Sequence, residues 1–437
     1  MSVHYTPAGV EAYCQNSSQV LVTKGKNEKE STKFGPKYKQ WHTYDKTISY
    51  VSRSQVNGVA LKHTADILVP INNAAFVKAC GLTKVLANPI HGDYVKSTFE
   101  DKGIESIIDS GGFQMLTGAT DFVDPNDVVT RYNKLANIGM PIDLPVRFAF
   151  EADFFDPVSK MIKANDDFLI ERLNPNIHLA LISHGTTLEK RKRRLDVLDR
   201  KAEVVAIAGL NIKPQPGVDR YLNIVENLMY VIHRYRKTTR YFHVLGVTSK
   251  FWMFIYALID ALGYVREIGA DSVSHRMGSL IGMVDRSDFT VTDIPKNQLY
   301  KQSIPCGCPV CVAIDDVRIL NSAAILEAHN LWTRAKQTEV LVDLARHYVK
   351  NEVTLQEILK VTNFKIDITK FQYIVNYVKE VVATDKFKPI KAERSTKSLF
   401  SNIIPDDDVM TEEASLGKDK YAKILERYEK FHKKKFR

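Results

Sequence analysis

The chain has 437 residues, enough for a large buried core, and its 44% hydrophobic and 26% charged content is ordinary for a globular protein. A formal charge of +10 points to an anionic partner, most simply nucleic acid. No apolar run of about 20 residues exists, which argues against a transmembrane helix and a membrane partner. The N-terminus lacks a basic segment followed by an apolar one, so a cytoplasmic protein is expected.

Residues 1–60 are polar, with a Lys-rich stretch from Lys24 to Lys39, and read as short strands and loops. Short runs rich in Ile, Val and Leu then recur at Ala65–Pro70, Lys84–Asn88, Glu105–Asp109, Pro141–Val146, His178–Ser183, Val204–Ala208, Phe242–Val247 and Asp271–Ser274. Such runs suit strands buried on both faces. Helices with one apolar stripe are expected at Asn126–Ile138, Arg220–Tyr235 and Phe251–Ile268. Strands alternating with helices predict an α/β fold, a (β/α)8 TIM barrel over residues 61–300. A doubly wound sheet is the alternative, but no Gly-x-Gly-x-x-Gly follows the first strand. Residues 301–335 form a cysteine-bearing segment. Residues 336–437 read as a helical extension with a basic tail. Helices are expected at 316–338, 338–350, Thr354–Lys360, Ile368–Val382 and Leu416–Lys435, with a polar linker over Asp385–Asp408.

Cys306, Cys308 and Cys311 are three of the five cysteines and fall within six residues. In an intracellular chain such a cluster suits metal better than a disulfide. His329 completes a Cys3His set that fits one tetrahedral Zn(II) with no open position, hence a structural one. His347 is the rival fourth ligand.

Asp109, Asp143 and Asp271 lie near expected C-terminal strand ends, where such barrels carry their chemistry. Asp109 is followed by Ser110-Gly111-Gly112-Phe113-Gln114. Glycines there allow a sharp turn and close approach to a flat ligand, on which Phe113 can stack. Carboxylates flanking a sugar allow one to act as nucleophile and another as acid and base. Two basic runs suit phosphate contacts: Lys190, Arg191, Lys192, Arg193 and Arg194, and the tail with Lys433, Lys434 and Lys435.

The segment Asp109–Gln114 resembles the signature of the tRNA-guanine transglycosylases. Other segments resemble that family in its order along the chain: Leu86–His91, Pro141–Pro145, Ile207–Leu210, Gly269–Ser272, and the cysteine segment with His329-Asn330-Leu331. The resemblance covers roughly residues 60–335. It implies a zinc-bearing (β/α)8 barrel that exchanges guanine for a 7-deazaguanine base. Asp271 is then the nucleophile and Asp109 the acid and base. Asp143 and the backbone at Gly209-Leu210 hold the purine edge, between Phe113 and Leu245-Gly246. Ser110, Gln114 and His184 join that pocket, and His275-Arg276 contact the nucleic acid.

Departures from the family point to one branch. His184-Gly185-Thr186 replaces a Gln-Gly-Gly or Gln-Gly-Ser. Ser274-His275-Arg276 replaces the longer Leu-Pro-Thr-Arg segment. The stretch that bacterial relatives use in pairing subunits is missing, and so is the archaeal RNA-binding domain. With the overall length, these features look like the DNA-acting branch, the DNA deazaguanine transglycosylases. DNA and a free 7-deazaguanine, such as 7-cyano-7-deazaguanine, are the implied partners. A tRNA substrate, or a catalytically silent nucleic-acid-binding subunit, is the alternative.

Overall fold

The computed structural model describes residues 2–7, 38–41, 50–52, 74–87, 99–112, 115, 120, 122–146, 151–210, 218–272, 274–281, 283–293, 323–390 and 418–435. In chain order the strands are β1 (Val3–Pro7), β2 (Tyr38–Trp41), β3 (Tyr50–Ser52), β4 (Lys84–Ala87), β5 (Glu105–Ile108), β6 (Ile138–Gly139), β7 (His178–Leu179), β8 (Leu181–Ser183), β9 (Val204–Ile207), β10 (Tyr241–Leu245), β11 (Ile268–Ser272), β12 (Met283–Asp285) and β13 (Val291–Asp293). The helices are α1 (Ala74–Ala79), α2 (Pro125–Leu135), α3 (Glu151–Ile170), α4 (Leu188–Leu198), α5 (Arg220–Tyr235), α6 (Lys250–Ala261), α7 (Ser274–Ile281), α8 (Ala323–Val349), α9 (Leu355–Thr362), α10 (Ile368–Thr384) and α11 (Lys418–Lys435).

The fold is mixed α/β. Strands β2–β3 and β12–β13 form antiparallel pairs. The other strands run parallel in two sheets, ordered β4-β5-β6-β7 and β8-β9-β10-β11-β1. Ala180 alone separates β7 from β8, so one stretch of chain borders both sheets. At the far edges β1 packs beside β4, and Thr83 Oγ1 stands 3.2 Å from His4 Nδ1. Helices α2 to α6 connect successive parallel strands, as parallel pairing requires.

Helix α5 illustrates the local logic. Asp219 caps it by accepting from the Leu222 N–H at 3.1 Å. Tyr221, Ile224, Val225, Leu228, Val231 and Ile232 are buried, a helical stripe against the sheet. In α6 every residue from Phe251 to Ile259 is buried, because α8 covers the side away from the strands.

The N-terminal ends of the strands carry a layer of ion pairs. Lys84 Nζ pairs with Glu105 Oε2 at 2.9 Å and with Glu267. His4 Nε2 meets Glu267 at 2.8 Å, and Arg240 Nη2 meets Glu105 at 3.0 Å. These contacts tie β4 and β5 of one sheet to β1, β10 and β11 of the other. Burial alone raises both glutamates, but their cationic partners outweigh it and hold each carboxyl below its ordinary value.

Several expectations need correction. Val3–Pro7, within the segment expected to hold short strands, forms a parallel ladder with β11, a partner its own pattern does not name. Pro141–Val146 is extended chain after β6 rather than a strand. Pro141 and Pro145 lack the N–H groups a ladder needs. The helix expected to end at Ile268 stops at Ala261, before Gly263 at φ +70°, and Ile268 opens β11. Helices α3 and α4 were not foreseen; α3 carries Pro157 in its interior. The expected break at residue 338 is absent, since α8 runs unbroken through it. The expected strand Ala65–Pro70 lies outside the described residues.

The helical extension is built onto the α/β body. Helix α8 packs on α6, α7 and β1; α10 packs on α5; α11 packs on α3. Tyr421, Ile424 and Tyr428 of α11 are buried, and Tyr428 Oη donates to the Val123 carbonyl at 2.9 Å. Among the described residues no helix is long and apolar enough to cross a membrane.

Candidate functional site

Because the main strands are parallel, their C-terminal ends share one side of the sheets. Asp109 follows β5 directly, Asp143 follows β6 by four residues, and Asp271 is the fourth residue of β11. His184 follows β8, Gly209-Leu210 follows β9, and Leu245-Gly246 ends β10. The predicted aspartates therefore stand at the same ends of the sheets.

Asp271 is nearly buried, at 9% exposure. Its Oδ1 accepts from the Gly246 N–H at 3.1 Å and lies 3.2 Å from His243 Nε2. Gly246 has φ +70°, a backbone state that favours glycine. His243 is fully buried, and its Nδ1 stands 2.8 Å from Tyr241 Oη. His243 and Tyr241 were missed in the sequence. The available signal was alternation: Tyr241, His243 and Leu245 occupy one face of an otherwise apolar strand.

The loops after β5 and β6 interlock. A Cβ on Gly112 would stand 1.7 Å from the Asp143 carbonyl oxygen, so only glycine fits. Gly111 has φ +88°. The glycine pair thus serves first to seat one aspartate loop on the other. Asp109 Oδ1 accepts from the Ser110 N–H at 2.9 Å, and Ser110 Oγ accepts from the Gly112 N–H at 3.3 Å. Asp143 is 8% exposed, with Arg194 Nη1 at 3.7 Å from its Oδ1. Burial raises the Asp143 carboxyl to about 6; Arg194 and the Leu144 N–H oppose this, and Asp109 and Asp166 add to it. Phe113 and Gln114 lie outside the described residues.

His184 sits between two guanidinium groups. Burial, then Arg194 and Arg191, push it well below the ordinary histidine range, so it is neutral at pH 7. Its Nδ1 is buried without a hydrogen-bond partner among the described residues. Gly209, at φ +74°, packs on the ring: a Cβ there would approach the imidazole to 3.0 Å. Leu210 is buried beside it in sequence, and Leu245 is half-buried.

The basic run divides between two faces of α4. Arg191 and Arg194 are fully buried with Leu195 and Leu198 and cannot meet a phosphate. Arg191 instead fastens strand ends. Its Nε donates to Asn227 Oδ1 at 2.9 Å, and its Nη groups reach Ser183 Oγ at 3.0 Å, the Gly185 carbonyl at 2.8 Å and the Ala208 carbonyl at 2.9 Å. Lys190 lies over the Phe155 ring, Lys192 over Tyr230, and exposed Arg193 pairs with Asp156. His275 is also fully buried, with Nδ1 2.9 Å from Tyr5 Oη, so it is no phosphate contact. Lys433 is exposed and pairs with Glu429 at 3.3 Å. The side chains of Arg276, Lys434 and Lys435 are outside the described residues.

Of the proposed zinc ligands only His329 is described; Cys306, Cys308 and Cys311 are not. His329 is fully buried, and its Nε2 stands 2.8 Å from the Asp285 carbonyl. A carbonyl accepts only, so Nε2 is the donor in this contact. That is the state of a metal-ligating histidine held by an outer hydrogen bond, and the residue fits the role. His347 lies about 27 Å further along the same helix, exposed and paired with Glu352.

Comparison with protein-family models and with curated proteins gives no match for this chain.

Proposed function

We propose that the chain is a transglycosylase that replaces guanine in DNA with a 7-deazaguanine, 7-cyano-7-deazaguanine or a derivative, through a covalent aspartyl-nucleotide. We further propose that the parallel strands close as a (β/α)8 barrel across the β1–β4 edge, with a zinc-bearing segment beside it. One observation carries the reading. Asp109, Asp143 and Asp271, the aspartates of three separate motifs, stand in or after the C-terminal ends of parallel strands, and Gly112 fits the Asp109 loop against the Asp143 loop.

The chemistry follows from these positions. The Asp271 carboxylate attacks C1′ as the C1′–N9 bond breaks, and the departing guanine takes a proton from Asp109. A 7-deazaguanine then enters and gives its N9 proton to Asp109. Its N9 attacks C1′ and releases Asp271. One glycosidic bond replaces another, so no energy-supplying cosubstrate is needed. Ionised Asp143 accepts from the N–H groups of the purine edge, and the backbone at Gly209-Leu210 donates to its carbonyl. Neutral His184 offers a nitrogen, Nδ1, with no other partner among the described residues. Leu245 covers one face of the base. A guanine in duplex DNA must leave the stack first, at a cost of a few kcal/mol.

The experiment is adduct trapping. Purified protein quenched during turnover on guanine-containing DNA should yield a protein–DNA species that survives denaturation, with the nucleotide mapped to Asp271. An adduct that forms equally in Asp271→Asn overturns the assignment.

A further inference from the structure

A chain of buried polar groups stands behind Asp271. On its own strand and on β10 and β1, alternate residues share the face that carries Asp271: Gly269, His243, Tyr241 and Thr6. Tyr241 Oη lies 3.5 Å from Thr6 Oγ1 and 2.8 Å from His243 Nδ1, and His243 Nε2 lies 3.2 Å from Asp271 Oδ1, an ion-pair contact without the alignment of a hydrogen bond. Both His243 and Tyr241 are fully buried. Room for the phenol comes from Gly269, where a Cβ would stand 2.6 Å from Tyr241 Oη.

The direction of the chain follows from the phenol. Burial, with Thr6 opposing and Glu267 and Asp271 adding, holds Tyr241 well above its ordinary value, so it keeps its proton. The Nδ1 contact, at 2.8 Å, is the shorter of the two that Tyr241 Oη makes, against 3.5 Å to Thr6 Oγ1; a phenol proton given to Nδ1 leaves Nε2 to carry the ring proton, towards Asp271. The Gly246 N–H reaches the same Oδ1 from the other side of the ladder. Among the described residues no donor meets Oδ2.

We infer that Tyr241 and His243 are positioning residues for the Asp271 carboxylate: they and the Gly246 N–H hold it by Oδ1 and leave Oδ2 as the oxygen that attacks. This rests on the reading of Asp271 as the nucleophile. It goes further by stating which oxygen reacts and what fixes the carboxylate plane. A carboxylate free to rotate would spend much of its time out of line with C1′, and orientation is a large part of what a site supplies.

The test has two arms, both on the full chain. In protein labelled with 15N-histidine, the His243 signals are assigned by their loss in His243→Gln. The expected state is a single Nε2–H tautomer that becomes a mixture in Tyr241→Phe. A proton on Nδ1 in the parent protein, or no response to Tyr241→Phe, overturns the relay whatever the substrate proves to be. In the kinetic arm, Tyr241→Phe and His243→Leu should each lower kcat for guanine exchange about 10–100-fold, the usual cost of losing an outer contact that orients a reacting group. The KM for DNA should stay unchanged. His243→Gln should recover most of the loss, because its amide N–H reaches near the Nε2 position. Tyr241→Phe keeps the ring and so guards against misfolding of the leucine variant. Parental kcat in both variants overturns the positioning role. A parent protein that exchanges nothing in DNA counts against the substrate reading, and the tautomer arm then decides the relay.

Discussion

The two ends of the parallel sheets handle buried charge in opposite ways. At the N-terminal end Lys84, Glu105, Glu267, His4 and Arg240 meet within 3.0 Å or less, and both glutamates are held below their ordinary range. At the C-terminal end Asp143 has its arginine only at 3.7 Å and rises to about 6, while His184 is buried neutral with an unpartnered Nδ1. A satisfied network serves stability. A site that keeps buried polar groups waiting gives up stability for ligand contacts. The difference is what the proposed reading expects if the C-terminal end is the working face.

Substitutions at the two ends should separate these roles. The largest effect belongs to Asp271→Asn, which should lower exchange by about 10⁴–10⁶-fold, as loss of a nucleophile does, with little change in melting temperature. Lys84→Met should do the reverse. It takes one of two cationic partners from each glutamate, leaving Arg240 on Glu105 and His4 on Glu267, and should cost about 1–2 kcal/mol in chemical denaturation. Activity per folded molecule should survive. Equal damage to activity from both would erase the distinction.

Asp143 and the ionic layer should also differ in sign with pH. A carboxyl raised to about 6 from an unfolded value of about 3.9 favours folding when protonated; that contribution is lost as pH rises through this window. Asp143→Asn should therefore stabilise the protein at pH 7 by about 1–3 kcal/mol while weakening base binding. Melting measured from pH 4 to 8 checks this. The smallest effect is the acid limb. Glu105 and Glu267 stabilise the fold fully above their unfolded value of about 4.3, and this is lost as pH falls through their depressed folded values. In Lys84→Met that limb should be shallower.

Much of the site was legible because it is local. The Asp109–Gly112 turn, the aspartate within Pro141–Pro145 and the end of β11 are short segments whose residue types state their geometry. Pairing across long separations was not. Val3–Pro7 joins β11 through more than 260 residues of intervening chain, and nothing in its own pattern names that partner. Arg191 and Arg194 were misread as surface charge, although Arg191, Arg194, Leu195 and Leu198 follow the spacing of one buried helix face. Tyr421 and Tyr428 anchor the charged helix α11 in the core, a packing role that its overall charge does not announce.

The central claim is base exchange in DNA. Purified, zinc-replete protein should be given an equimolar mixture of duplex DNA and tRNA with a radiolabelled 7-deazaguanine, and each polymer digested to nucleosides. The account predicts label in deoxynucleosides, equal release of guanine, and none of either with Asp271→Asn. Label in tRNA and not in DNA, with all three aspartates intact, would contradict it.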